Sequence, residues 1–276
     1  GYLAMQSLCR QALGVFQWYS FCDVRIKPAI NKLAKHTQHP HHDTLAGLRH
    51  VVMFCNAHPQ TNCYSGTWCQ ALEQPDQLTH PFTKGAKAAY FHWFSDSSLT
   101  MTGGVGMLAG GPIAAISSRP HLANPDSTTG EIVAAGTNVH HLYPINGMLQ
   151  ELHIRLGKPT PFYLDSGSTV FVAMKDSAVK KSVWLMRRAV VLQEGVALDE
   201  IMPFHIPERD MVADSFTKYI RHEPWARHMH YLMNWPGDPP DAHEQPMASQ
   251  VNASKEISRI DEDGDWQEKK KNGKAE

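Results

Sequence analysis

Four acidic residues stand where local patterns place them at the ends or starts of regular elements. Asp96 closes the aromatic run Tyr90-Phe-His-Trp-Phe-Ser-Asp96, and Asp165 closes Pro161-Phe-Tyr-Leu-Asp165. Glu131 falls early in Ser127-Thr-Thr-Gly-Glu131-Ile-Val-Ala-Ala135, and Asp214 in Val212-Ala-Asp214-Ser-Phe-Thr-Lys218. Carboxylates gathered this way bind hard divalent cations, which activate water against a phosphodiester. With 27 of 276 residues acidic, residue type alone decides little. The order does: strand-Asp, helix-Glu, strand-Asp, helix-Asp.

The elements that must position these acids can be read around them. Residues 88–95 are aromatic-rich and read as a strand. Thr102-Gly103-Gly104 supplies a turn, Val105 to Ala109 a second strand and Ile113 to Ser118 a third. Ser127 or Thr128 should cap a helix bearing Ile132, Ala135, Val139 and Leu142, which Pro144 should kink or end. A second helical piece then runs through Met148, Leu149 and Leu152. Phe162 to Leu164 is a fourth strand, followed by helical stretches near 168–175 and 179–193. Glu200 to Ile206 is a fifth strand, and Met211 to Tyr219 a last helix. In a βββαβαβα sheet sandwiched by helices, the first strand is central and the fourth lies parallel beside it. Asp96 and Asp165 then become neighbours, and first-turn Glu131 and Asp214 can point at the same spot. Four carboxylates so close repel one another unless cations intervene, and two magnesium ions about 3.5–4 Å apart would do so.

Residues 1–75 read as helical, with Ala29, Ile30, Leu33 and then Leu45, Leu48, Val52, Cys55 at helical spacing. Asp43 or Thr44 could cap the second of these helices. Residues 76–87 read as a connector, 88–222 as the acid-bearing domain, and 236–276 as a disordered polar tail. Within that tail Asp261-Glu-Asp263-Gly264-Asp265 lacks the full ligand spacing of a calcium loop and reads as solvated charge.

Composition narrows the partners. The net charge of −1 offers no global field for nucleic acid, so any such contact must come from patches such as Arg187-Arg188, Lys180-Lys181 or Arg209. Five cysteines with no C-x-x-C pair argue for reduced thiols and an intracellular setting. The front also carries His36, His39, His41, His42 and His58 beside Cys55, Cys63 and Cys69. Structural zinc favours closely spaced pairs, so these read as solvated histidines and small thiols. No apolar stretch reaches membrane-spanning length.

The stretch Phe94–Lys218 resembles the ribonuclease H domain of copia-type long-terminal-repeat retrotransposon Pol polyproteins. The matching pieces are Ser95-Asp96, Ser117-Ser118, Ser127 to Ala135, Phe162-Tyr-Leu-Asp165-Ser166 and Ile206-Pro-Glu-Arg-Asp-Met-Val-Ala-Asp214-Ser-Phe-Thr-Lys218. The four acids are spaced by 35, 34 and 49 residues, which fits as well. Residues 1–75 resemble the C-terminal, thumb- or connection-like end of the same family's reverse transcriptase, through Ala29-Ile-Asn-Lys-Leu33, His39-Pro40 and Leu48-Arg49-His50.

The resemblance implies an α/β, ribonuclease H-like mixed five-stranded sheet flanked by helices, and a metal-dependent endonuclease that removes RNA from RNA–DNA hybrids. It implies that Asp96 bridges two magnesium ions, with manganese the alternative metal. Glu131 and Asp165 would complete one ion's shell and Asp214 would hold the other. It further implies the hybrid and the rest of the reverse transcriptase polyprotein as partners, in the cytoplasm within a virus-like particle or in the nucleus. His205 could assist water positioning or product release; a plain strand-end histidine is the competing account.

The chain departs from the family pattern at Thr129, where an acid is usual, at Ser97-Ser98-Leu99, and over 182–192. No polymerase Tyr-x-Asp-Asp occurs. Those departures leave a catalytically decayed structural or nucleic-acid-binding module as the alternative. Asp165-Ser166-Gly167 also matches the aspartic-protease signature, but no second such motif is present.

Overall fold

The computed structural model describes residues 2–59, 62, 91–120, 126–154, 159–175 and 183–234, with backbone only at 183 and 184. The expected connector, the tail, Lys180-Lys181, Cys63 and Cys69 lie outside the described residues. Three N-terminal helices come first: α1 (Tyr2–Tyr19), α2 (Lys27–Ala34) and α3 (His42–Ala57). A 3-10 turn at Val24–Ile26 joins the first two. The acid-bearing part follows as β1 (His92–Ser97), β2 (Thr102–Leu108), β3 (Gly111–Ser118), α4 (Ser127–Glu151), β4 (Thr160–Leu164), α5 (Gly167–Met174), α6 (Val183–Ala197), β5 (Ile201–His205), α7 (Asp214–Thr217) and α8 (His222–Leu232).

The strands form one five-stranded sheet in the order β3-β2-β1-β4-β5. β1–β2 and β2–β3 pair antiparallel, while β1–β4 and β4–β5 pair parallel. This is the expected mixed sheet, with the first strand central and the fourth parallel beside it. Its centre reads as it must for a strand covered on both faces. Trp93 and Phe94 are both fully buried, on opposite sides of the sheet. The period of two sends Phe91, Trp93, Phe162 and Leu164 into a core with α4, α5 and α6. Phe94, Val105 and Tyr163 pack instead with Met211, Val212 and Phe216 beside α7 and with Met229 and Leu232 of α8.

Close approach on both faces depends on two glycines of β2. A Cβ at Gly103 would strike Thr217 and the Ala213 carbonyl, and one at Gly104 would strike the Asn138 side chain. Asn138 of α4 is fully buried; its amide donates to Ser95 Oγ and Gly103 O, and it accepts from Trp93 Nε1. That network locks α4 to β1 and β2.

Several local expectations shift. Asp126 caps α4, its side chain accepting from Thr129 N–H, because the carboxylate reaches the exposed donor one turn on. Pro144 does not end the helix, which runs unbroken to Glu151. Flanking packing by Leu142, Tyr143, Ile145 and Leu149 outweighs the one amide hydrogen bond that proline removes. At α3 the cap is His41, with Thr44 reaching back to its amide, rather than Asp43 or Thr44. The expected last helix over 211–219 is only Asp214–Thr217, preceded by a 3-10 turn at Glu208–Asp210, and α8 follows it.

Candidate metal centre

Asp96 is the fifth residue of the six in β1, opposite Gly103 of β2. Its side chain lies on the α7 face, where Thr217 Oγ1 donates to Oδ2. Asp165 follows the last residue of β4, which is parallel to β1, so the two acids leave the same end of the sheet. Glu131 arrives from the opposite face. It is the fifth residue of α4, just past the first turn where it was expected. Ser97 Oγ donates to its Oε1 at 2.8 Å. Ligand oxygens of Asp96, Glu131 and Asp165 lie within 4.8 Å of one another. Among the described residues, this trio is the one cluster of His, Cys, Asp or Glu arranged to hold a metal ion.

Asp214 opens α7 next to Asp96 but outside that trio. Lys218, one turn on, bonds its Oδ2 at 2.9 Å and approaches Glu208 at 3.6 Å. The chain therefore supplies its own cation to the fourth acid. His205, exposed at the end of β5, has Nε2 3.0 Å from the backbone oxygen of Asp165. It touches the segment carrying that acid, not a carboxylate.

Burial and crowding make the trio reluctant to ionise. Desolvation, then the charges of Asp96 and Asp165, push Glu131 up to about 8 against the opposing Ser97 bond. Asp165 is pushed up to about 6 by burial and by Asp96. Asp96 is raised by burial and by the Asp214 charge, with the Thr217 bond and Lys218 opposing. Asp214 is raised by burial despite its bond to Lys218. Burial pulls Lys218 down, yet its bond to Asp214 and the charge of Asp96 outweigh this and raise it. Two buried oxygens, Glu131 Oε2 and Asp214 Oδ1, have no hydrogen-bond partner. An orphaned carboxylate oxygen in a crowded acidic pocket is what a hard cation would satisfy, so the residues fit a divalent metal.

Ser97, Thr217, Lys218 and Asn138 support the site beyond the residues expected from sequence. Thr217 and Lys218 fall three and four residues after Asp214, a helical spacing that could have flagged them. Ser97 and Asn138 carry no comparable local signal.

No family model and no curated protein matches this chain. Among solved structures, LC11-RNase H1 isolated from compost by a metagenomic approach is similar at 14% identity and a TM-score of 0.36, over 46% of this chain and 90% of that one. The fold class rests on the strand order and pairing described above. Among the described residues, no helix is long and apolar enough to cross a membrane.

Proposed function

We propose that this chain is a metal-dependent endonuclease that hydrolyses the RNA strand of RNA–DNA hybrids, within a retrotransposon reverse transcriptase polyprotein. The observation that carries the reading is the convergence of buried Asp96 and Glu131 with half-buried Asp165, with an unsatisfied Glu131 oxygen and no ion pair to a cation of the chain among the described residues. An all-oxygen donor set suits magnesium, or manganese, over softer metals. Asp96, Glu131 and Asp165 would hold one ion, and Asp96 with Asp214 a second. When bound, such ions polarise the phosphodiester and lower the pKa of water.

The chain's own part is orientation. Ser97 fixes Glu131 Oε1 and leaves Oε2 for the pocket, and Thr217 does the same at Asp96 Oδ2. Asp214 is held by Lys218, which must give way or share it. The retrotransposon context and the hybrid as substrate are supported by the motifs from Ser95-Asp96 to Asp214-Ser-Phe-Thr-Lys218 and, for residues 1–75, by Ala29-Ile-Asn-Lys-Leu33 and His39-Pro40. Asp165-Ser166-Gly167 does not favour a protease, since Asp165 faces Glu131 and Asp96 on a mixed sheet and Ser166 caps α5.

The test is cleavage of an end-labelled RNA–DNA hybrid by the full chain. Cleavage should require magnesium and fall at least about a hundredfold in Asp165→Asn, while the variant still unfolds cooperatively. An intact hybrid under all divalent-metal conditions would leave the chain a decayed structural module.

A further inference from the structure

Three cations collect at the edge of the sheet, on the same end as the acids. Lys32 and Lys35 belong to α2 and its C-cap, and Arg119 follows the last residue of β3. The elements are fixed against each other. Asn31 Nδ2 donates to Ser117 O at 2.6 Å, Ser117 Oγ donates to Phe216 O, and Val24 enters the core beside α7 and α8. Lys32 Nζ donates to Tyr219 Oη and sits 4.5 Å over its ring. Tyr219 is the neighbour of Lys218, which bonds Asp214. The strip therefore begins where the acidic pocket ends.

All three cations are exposed, and so is Tyr219, at 85%. Among the described residues, no carboxylate pairs with Lys32, Lys35 or Arg119. Their closeness is felt: modest desolvation, then the charges of Arg119 and Lys32, hold the Lys35 ammonium below its ordinary value. Like charges held together without an acid are disfavoured unless an anion completes them. Ser118 lies across Thr102 from Ser97, two strand spacings or about 10 Å away. That keeps the strip within a few nucleotides of the pocket along one strand, each nucleotide advancing about 3.4 Å along a helix axis.

We propose that Lys32, Lys35 and Arg119, with Tyr219, form an anchoring strip for the phosphodiester backbone of a nucleic acid, so that the N-terminal helices supply part of the substrate surface. It rests on the nuclease reading for its direction toward the acids, not for its charge. None of these side chains bears on base identity, so the contact is sequence-independent and salt-sensitive. Tyr219 offers a ring on which a sugar or base can rest.

The experiment is fluorescence anisotropy of a labelled RNA–DNA hybrid with the full chain, across a salt series in EDTA. Lys35→Glu with Arg119→Glu should weaken binding at least tenfold and flatten the slope of log Kd against log salt by about two. The pair Lys35→Gln and Arg119→Gln, which removes charge without reversing it, should give a smaller loss of the same sign. Terbium luminescence at the acidic pocket should be unchanged in both. Unchanged hybrid affinity and slope would overturn the strip while leaving the nuclease reading intact. Strip-dependent binding without cleavage in any metal would sustain the strip and overturn the nuclease. No hybrid binding by the unmodified chain would overturn both, and strip-dependent capture of acidic polypeptide in place of hybrid would overturn the nucleic-acid assignment.

Discussion

Two kinds of buried carboxylate coexist in this molecule. Asp23 and Asp210 are fully buried and each meets an arginine. Arg25 contacts Asp23 through Nε and Nη2, both at 2.8 Å, and its Nη2 also reaches His58 O. Arg227 contacts Asp210 at 2.7 and 3.1 Å. Asp96 and Glu131 are 1% and 8% exposed, almost as buried, yet neither forms an ion pair: Thr217 donates to the one, Ser97 to the other, and acids crowd both. Where the chain wants rigidity it brings the countercharge itself. Where it leaves carboxylates together without one, they stay partly protonated or are open to a divalent cation from solution.

The contrast is broken most directly by removing one acid of each kind. Asp23→Ala leaves a buried guanidinium without its carboxylate and should cost about 3–5 kcal/mol, roughly 10 °C in Tm. Glu131→Gln keeps shape and the Ser97 contact while deleting a charge that burial opposes. In EDTA at pH 8 it should be neutral or stabilising by about 1–2 kcal/mol, and magnesium should raise its Tm by less than it raises that of the unmodified chain. Chemical denaturation of both variants, with and without metal, checks the pair. If Glu131→Gln loses as much in EDTA as Asp23→Ala, the pocket is structural and the comparison fails.

Most of the frame was legible because it rests on dense local signals. Alternation of Trp93 and Phe94 and the order of the acids point to a mixed sheet with β1 at its centre, whereas Thr102-Gly103-Gly104, expected as a turn, lies within β2 because its glycines let α4 and α7 approach. Ala109-Gly110, both at positive φ, closes the β2–β3 hairpin. What stayed hidden depends on partners far away in sequence. α8 reads as polar, with His222, Glu223, Arg227, His228 and His230, yet Arg227 and His228 are buried. Arg227 is held by Asp210, and His228 by Ser215 Oγ and Arg209 O. No window of one helix reveals that its charges are answered on another. The strip of Lys32, Lys35 and Arg119 is hidden for the same reason, since more than eighty residues separate its ends. Of the basic patches suggested by sequence, Arg209 lies 3.9 Å from Asp210.

Titration sharpens the contrast without changing a residue. Glu131, Asp165 and Asp96 all have folded values raised above their unfolded ones. The folded state therefore binds their protons more tightly, and that stability is present at low pH and lost as pH rises through the folded values. His228 works the other way: burial lowers it to about 4, so its penalty is felt in acid and gone once pH passes its unfolded value near 6.5. Between pH 6.5 and 8 the raised carboxylates outweigh what is left of the lowered histidines, His228 and His141. Metal-free protein should lose about 1–2 kcal/mol there, chiefly through Glu131, and Glu131→Gln should flatten the loss. A metal-free Tm that rises over this window would contradict the assigned burial.

The smallest effect falls on the acid that lies between the two classes. Asp214 has a cation of the chain, Lys218, but a half-exposed one, 37% by side chain. Lys218→Met should lower metal-free stability by less than about 1 kcal/mol, because solvent and salt screen an ammonium in that position. Removing it also leaves Asp214 crowding Asp96 with only the Thr217 bond opposing, so a divalent ion should gain where the lysine was lost. The magnesium-induced rise in Tm should therefore be larger in Lys218→Met than in the unmodified chain, read by differential scanning calorimetry over a metal titration. An equal or smaller rise would mean that Lys218 holds Asp214 ready for the ion and does not compete with it. Asp214 would then belong with the arginine-paired acids rather than with the open trio.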